Sequence, residues 1–146
     1  VERYVESVIT PFSRSVVKDG PATSRAGNLV HLRTEFHFRL KKGCPLGNVV
    51  SHLHPTPAVC GVPTNEARQF IIQNEKEPRR YYSGFAGPVG IDGETNLYVS
   101  LRCAEIKHDS ILLYAGGGIM AESTCESEWH ETESKMQTVG LLTINN

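Results

Sequence analysis

The stretch from Asn96 to Met120, NLYVSLRCAEIKHDSILLYAGGGIM, decides the predicted fold. It contains two strand-like runs, 96–107 and 110–120, that are separated by only a short connection. Because so short a connection joins antiparallel neighbours, the two runs are predicted to form a hairpin. A third strand is predicted over 81–91, and turn residues at 91–94 join it to the second. The sequence therefore predicts an antiparallel meander of three strands.

Helices are predicted on both sides of this meander. Apolar residues recur at helical spacing in four segments: 1–16, 45–53, 64–77 and 125–144. Pro11 is expected to kink or end the first helix, and Pro45 suits the start of the second. Thr64 is expected to cap the third, and Ser123 with Glu126 forms a capping-box pattern at the start of the fourth.

The remaining segments complete the predicted class. Residues 29–40 alternate apolar and polar side chains, which is typical of a strand with one buried face. Residues 18–28 are rich in turn-forming residues and predict turns. Residues 54–63 contain three prolines, which predict an irregular loop and neither a helix nor a central strand. Helices mixed with antiparallel strands predict an α+β fold over 1–146.

The composition of the 146-residue chain excludes several classes of protein. With 39% apolar and 21% charged residues, the chain is typical of a folded domain. A formal net charge of −1 argues against nucleic acid as a partner, because general nucleic-acid binding needs a cationic surplus. No apolar run reaches the roughly 18 residues of a membrane helix, so no membrane partner is expected. The four cysteines lack zinc-site or disulfide-framework spacing, which favours reduced thiols in the cytoplasm.

The last predicted helix carries the most informative charges. Glu128, Glu131 and Lys135 follow one another at spacings of three and four residues, so they share one helix face. This face borders an apolar stripe that includes Trp129 and Met136, and a helix can line a pocket at such a border. A solvated charged face explains the pattern most simply. In a cleft, however, two carboxylates would favour a hard cation such as Mg²⁺.

Three further features each have two possible interpretations, one as part of a binding site and one as purely structural. The glycines at 116–118 can present backbone N–H groups to an anion, or they can form a bulge or tight bend. Arg102 lies in a predicted strand, where it can bind a carboxylate or simply face solvent. His31 opens the alternating strand and suits either a site or a half-buried structural position.

Five ordered motifs resemble those of the chorismate-utilising enzymes, most closely the isochorismate synthases. They span nearly the whole chain: HPTPAVCGVP at 54–63, YSGFAGPVG at 82–90, RCA at 102–104, YAGGGI at 114–119 and EWHETESK at 128–135. The first motif is usually replaced in the family branches that make salicylate, anthranilate or aminodeoxychorismate. The resemblance therefore favours isochorismate synthase over those alternatives.

The resemblance implies a Mg²⁺ site on the last helix. Glu131 would coordinate the Mg²⁺ that holds the ring carboxylate of chorismate, and Glu128 would lie beside it as an indirect or water-mediated ligand. The family's other glutamate pair would fall at or just before residue 1, where Glu2 is the nearest candidate. The family's lysine base and glutamate acid would lie upstream, so no catalytic acid or base is assigned within this chain.

The resemblance also implies which residues bind the substrate. Arg102 would pair with the enolpyruvyl carboxylate of chorismate, with help from Tyr82. Gly116 and Gly118 would offer backbone N–H groups, and Lys135 would contact a substrate carboxylate.

The remaining implications concern the ring, the reaction and the whole enzyme. His31 would lie near the substrate ring, and Ala58 belongs to the substrate-binding set through the first motif. The reaction would add water at ring C2 and expel the C4 hydroxyl. The family enzyme is about three times as long, so this chain would be the C-terminal part of the chorismate-binding fold, with antiparallel β-sheet layers flanked by helices. The whole enzyme would be a cytoplasmic monomer.

Two questions stay open at this point. Isochorismate is used in menaquinone and in siderophore synthesis, and the sequence is compatible with both. A chain of this length without the family's base and acid is also compatible with a non-catalytic chorismate-binding fragment.

Overall fold

A computed structural model describes residues 1–26 and 29–144 of the chain. It consists of helices and antiparallel sheets, so the predicted α+β class is confirmed. The chain divides into two compact units, residues 1–58 and 59–146. Within the described ranges, no helix is both long and apolar enough to cross a membrane.

The first unit is a long β-ribbon with two helices. Its regular elements are α1 (Glu2–Ile9), a 3-10 turn (Thr10–Phe12), β1 (Ser13–Ala26), β2 (Leu29–Leu40) and α2 (Leu46–Leu53). Helices α1 and α2 pack together around Ile9 and Val49, which are each only 1% exposed. The Tyr4 hydroxyl donates to the carbonyl of His52, at 3.1 Å, and so joins the two helices. α1 ends before Pro11, as the sequence predicts, but the helical segment predicted over 1–16 is wrong at 13–16, where the chain enters β1 and pairs with β2.

Strand β1 replaces the turns that were predicted over 18–26, and the last two residues of the predicted turn segment, 27–28, lie outside the described residues. Antiparallel pairing with β2 supplies hydrogen-bond partners along this segment, and a register shift between Asp19 and Ala22 accommodates the irregular sequence. Gly20 lies in this shift with a φ of +107°. A side-chain carbon there would lie 2.6 Å from the carbonyl oxygen of Arg33. The turn prediction is wrong because long-range pairing outweighs the local turn propensity.

The alternation predicted for β2 is confirmed over residues 36–40, whereas residues 30–33 are all exposed and residues 34–36 are all half-buried. Phe36 and Phe38 are half-buried, whereas His37 and Arg39 are exposed. Leu32 departs from the pattern, because it is 79% exposed in the structure.

The second unit combines short sheets with two longer helices. After α3 (Pro57–Cys60), which contains the boundary between the units, come α4 (Thr64–Asn74), β3 (Phe85–Ala86), β4 (Tyr98–Val99), β5 (Cys103–Ile106), β6 (Ile111–Tyr114) and α5 (Cys125–Ile144). The loop prediction for 54–63 is wrong at α3, since a proline is tolerated in the first turn of a helix. Thr64 is not the cap of α4. Pro63 holds that position, without a side-chain hydrogen bond.

The meander is shorter and more broken than predicted. β3 pairs with β4 and β5 pairs with β6, all antiparallel, in two separate two-stranded sheets. The predicted strand over 96–107 is interrupted at Ser100–Arg102, where the chain bends. The predicted strand over 81–91 keeps only two residues in β3, because its glycines and proline weaken a ladder.

Helix α5 starts with a capping box one residue later than predicted. The backbone N–H of Ser127 donates to Thr124 Oγ1, and the N–H of Thr124 donates to Ser127 Oγ, both at 3.2 Å. Thr124 and Ser127 therefore hold the roles that were predicted for Ser123 and Glu126. This leaves the Ser123 side chain available for another contact.

Candidate functional site

Two carboxylates of α5 converge on a glycine of the segment that follows β6. A side-chain carbon on Gly117 would lie 2.7 Å from Glu128 Oε2 and 2.9 Å from Glu131 Oε2. Real side-chain carbons do not approach oxygen atoms so closely, so only a glycine permits this arrangement. The helical spacing of Glu128 and Glu131 places them on one face, as predicted, and the bare backbone of Gly117 lies directly against them.

The two oxygens of Glu128 have different surroundings. Ser123 Oγ donates a hydrogen bond to Oε1. Oε2 is buried, and within the described part of the chain it has no hydrogen-bond partner. An unpartnered buried carboxylate oxygen is costly, so this atom is suited to receive a cation or another donor.

Glu131 is held by the lysine one turn further along α5. Lys135 Nζ lies 2.8 Å from Glu131 Oε1 and donates to the carbonyl oxygen of Gly116 at 3.1 Å. The hydrogen bond and charge of Lys135 hold the pKa of the Glu131 carboxyl below its usual range. Lys135 thus connects the helix to the glycine segment and keeps Glu131 ionised at neutral pH.

Tyr82 contacts the same glycine segment from another side. A side-chain carbon on Gly116 would collide with the Tyr82 hydroxyl. The Tyr82 ring stacks on Tyr114, with centroids 6.0 Å apart, and the guanidinium of Arg79 lies 5.8 Å from the Tyr82 centroid. Burial raises the pKa of the Tyr82 phenol, so its hydroxyl keeps its proton at neutral pH and can donate to an anion.

Tyr114 is held in turn by an ion pair between Arg80 and Glu105, which was not predicted. Arg80 donates to both carboxylate oxygens of Glu105, at 2.7 and 2.8 Å. The Tyr114 hydroxyl donates to Glu105 Oε2 at 3.0 Å. The hydrogen bond from Tyr114 is the main cause that lowers the pKa of Glu105. Arg80 and Glu105 are 25 residues apart, so no local spacing pattern could have indicated the pair.

The structure places Arg102 differently from the sequence prediction. Arg102 lies in the bend just before β5 and is exposed, rather than within a strand. Among the residues described, it makes no hydrogen bond or ion pair, so its guanidinium is available to a ligand.

His31 and Ala58 belong to the first unit, whereas the convergence at Gly117 is built within the second. His31 is an exposed residue of β2, paired with Ser24 of β1. Ala58 is an exposed residue of α3. Glu2, also in the first unit, forms an ion pair with Lys18 at 2.7 Å.

A cavity of about 600 Å³ is lined in part by Glu128. Its walls combine the apolar stripe of α5 with residues that follow β6, and Glu128 and Gly117 lie at its edge. Trp129 and Met136 contribute apolar surface, and of the charged face of α5 only Glu128 reaches the lining of this pocket, so the predicted border is confirmed at that residue. Its lining is mainly apolar, and Glu128 is the charged residue among the described residues that line it, so the cavity suits an apolar group with a cation beside Glu128.

The donor set at Gly117 fits a hard divalent cation. It offers two carboxylates on one helix face, and one of their buried oxygens lacks a partner. Oxygen donors without sulfur or imidazole suit Mg²⁺. Two carboxylates do not complete a protein cage, and the described residues contain no group of three or more His, Cys, Asp or Glu side chains suited to a metal. Mg²⁺ commonly completes its shell with waters and substrate oxygens.

Comparison with protein families gives an extended match. Residues 1–142 match the family model described as "Chorismate binding enzyme". The vibriobactin-specific isochorismate synthase of Vibrio cholerae is 36% identical over 141 residues, which are 95% of this chain and 34% of the relative. The isochorismate synthase DhbC of Bacillus subtilis is 34% identical over 137 residues, and MenF of Escherichia coli is 37% identical over 124 residues.

A solved structure also matches nearly the whole chain. It is a protein of Bacillus anthracis provisionally assigned as 2,3-dihydroxybenzoate-specific isochorismate synthase, DhbC. The TM-score is 0.83 at 33% identity, and the match covers 98% of this chain and 39% of that structure. The chain therefore spans about a third of the length of the relatives it matches.

Proposed function

Since the chain belongs to the family of chorismate-binding enzymes, with which it matches over residues 1–142, we propose that it forms the substrate- and metal-binding part of a Mg²⁺-dependent isochorismate synthase. The observation that carries this proposal is the convergence of Glu128 and Glu131 on Gly117. The relatives named as isochorismate synthases support the choice of reaction.

The proposed metal ligands are the two carboxylates of α5. Glu131 would bind Mg²⁺ directly, and Glu128 would present its unpartnered oxygen to the ion or to a water bound to it. When bound, Mg²⁺ would neutralise the ring carboxylate of the substrate. Lys135 keeps Glu131 ionised and oriented, so the carboxylate is ready before a cation arrives.

The proposed substrate contacts follow from the charges of chorismate, which is a dianion. Lys135 and the exposed guanidinium of Arg102 supply positive charge, and a guanidinium can bind a carboxylate through two parallel hydrogen bonds. The protonated Tyr82 hydroxyl lies at Gly116 and can donate to the same ligand. Backbone N–H groups of Gly116 and Gly118 would add further donors.

The proposed reaction adds a water oxygen at ring C2 and releases the C4 hydroxyl, with a shift of the ring double bonds. One water enters and one leaves, so the net change is an isomerisation. We propose that His31 lies near the ring in the complete site and that Ala58 contributes to the substrate pocket. The general base and general acid would come from sequence outside these 146 residues.

Two wider properties are also proposed. The four cysteines of this chain are free thiols, which fits a reducing compartment such as the cytoplasm. The complete enzyme would act as a monomer, and its mass measured by light scattering would test this. Relatives include a vibriobactin-specific enzyme and MenF, so a role in siderophore or menaquinone synthesis is proposed without a choice between them.

A matched pair of variants tests the metal role. In the protein expressed from its complete reading frame, Glu131→Gln should abolish Mg²⁺-dependent consumption of chorismate while the fold persists. Glu133→Gln removes a charge from an exposed position of the same helix and should leave turnover unchanged. Retained turnover in Glu131→Gln would contradict the proposal.

A further inference from the structure

Ser123 is tied to both its own turn and the Glu128 carboxylate. The backbone N–H of Met120 donates to Ser123 Oγ at 3.0 Å, and the N–H of Ser123 donates to the carbonyl of Met120 at 3.1 Å. A serine hydroxyl has a single proton. Ser123 donates that proton to Glu128 Oε1, since a carboxylate oxygen accepts, while Oγ accepts from the Met120 N–H.

The hydrogen bond from Ser123 fixes how the Glu128 carboxylate is oriented. The terminal torsion of a glutamate is broad, so the plane of its carboxylate is poorly fixed without a partner. With Oε1 held by Ser123, Oε2 is the oxygen that lies against Gly117, where it has no partner among the residues described. The hydrogen bond therefore fixes the plane of the Glu128 carboxylate, so that its second oxygen stays beside Gly117 and the Glu131 carboxylate.

The contact is separate from the cap of α5. Thr124 and Ser127 satisfy the start of the helix through reciprocal hydrogen bonds. Loss of the Ser123 hydroxyl would leave this capping box intact. An effect of Ser123 on the metal site can therefore be distinguished from an effect on helix stability.

We propose that Ser123 is a positioning residue for the cation site: it orients Glu128 so that Oε2 and the Glu131 carboxylate face one point beside Gly117. The inference rests on the proposed function, since it assumes that Mg²⁺ binds these carboxylates. Partners that orient metal ligands contribute strongly to affinity, and their removal typically weakens metal binding by about 10–100-fold.

Calorimetric titration with Mg²⁺ alone tests the proposal in the protein expressed from its complete reading frame. Ser123→Ala should bind Mg²⁺ about 10–100-fold more weakly than the native protein. Ser123→Thr keeps the hydroxyl and should retain most of the affinity. Ser134→Ala makes the same deletion at an exposed position of α5 and should bind like the native protein. Thr124→Ala should lower the melting temperature with little effect on Mg²⁺ affinity.

The outcomes separate this inference from the proposed function. Weak binding by Ser123→Ala and Glu131→Gln, with rescue by Ser123→Thr, supports both. Native affinity in Ser123→Ala, with weak binding in Glu131→Gln, overturns the role of Ser123 and leaves the metal site standing. An equal loss of Mg²⁺ affinity in Ser123→Ala and Ser123→Thr would mean that any change at this position disturbs the site. That result also overturns the positioning role of the Ser123 hydroxyl. Native affinity in Glu131→Gln, or no Mg²⁺ binding by the native protein, overturns the proposed metal site itself.

Discussion

Replacing Gly117 with alanine would place a methyl group where two carboxylates meet. The added carbon would lie 2.7 Å from Glu128 Oε2 and 2.9 Å from Glu131 Oε2. Carbon and oxygen atoms prefer separations near 3.5 Å, so each carboxylate must withdraw by roughly half to one ångström. Metal sites tolerate deviations of only about 0.2 Å in ligand distance, and Mg²⁺ demands near-ideal geometry. We therefore expect Gly117→Ala to weaken Mg²⁺ binding by about 10–100-fold.

The same substitution should have little effect on folding. Gly117 lies outside the left-handed backbone region, so alanine fits its conformation. The atoms that must move are the ends of flexible side chains. The lower entropy of the unfolded alanine variant contributes about 0.4–1 kcal/mol of stability, which offsets part of the strain. We expect the free energy of unfolding to change by no more than about 1 kcal/mol.

Calorimetric Mg²⁺ titration and urea denaturation measure the two quantities. Gly118→Ala is the matched control, because no atom lies within 4 Å of the carbon it would add. The control should keep the native Mg²⁺ affinity. Native affinity in Gly117→Ala, or an equal loss in both variants, would refute the argument that the bare backbone of Gly117 creates the site.

Three further predictions concern stability. Thr124→Ala should cost about 1 kcal/mol of unfolding free energy in urea denaturation, because the cap of α5 is lost, and an unchanged midpoint would contradict this. Gly20→Ala should lower the free energy of unfolding by roughly 1–3 kcal/mol in the same assay, because φ is +107° and the Arg33 carbonyl lies where the new carbon would be. An unchanged free energy of unfolding would contradict this prediction. The hydrogen bond and charge of Arg79 lower the pKa of the Glu75 carboxyl below its ordinary value of 4.5. The contribution of this pair to stability is therefore present above that pH and is lost as the pH falls through the lowered pKa. Melting temperatures measured across this range should therefore fall less steeply in Glu75→Gln than in the native protein, and identical slopes would exclude Glu75 as a contributor.

Local patterns were sufficient for some parts of the fold. The alternation in Leu29–Leu40 and the helical spacing in Cys125–Ile144 identified a strand and a helix whose bounds the structure confirms closely. The segment 18–28 could not be predicted in this way. Residues 18–26 become a strand only because β2 lies beside them, and that pairing is a long-range interaction without a local signal.

The candidate site, like the fold, could be predicted from local patterns only in part. Helical spacing was enough to place Glu128 and Glu131 on one face, but their distance to Gly117 depends on how the segment after β6 crosses α5. Ser123 was assigned to the wrong role because a serine three residues before a glutamate fits a capping box equally well. The hydrogen bonds of Thr124 with Ser127 resolve that ambiguity.

The most direct test of the central claim is chromatographic identification of the product formed from chorismate and Mg²⁺. The protein expressed from its complete reading frame and the 146-residue chain would be assayed side by side, with and without a chelator. We predict isochorismate from the complete protein only, and none once Mg²⁺ is removed. Salicylate or anthranilate as the product, turnover without Mg²⁺, or no turnover by the complete protein would contradict the proposed function. Isochorismate from the 146-residue chain alone would contradict the proposal that the base and acid lie outside it.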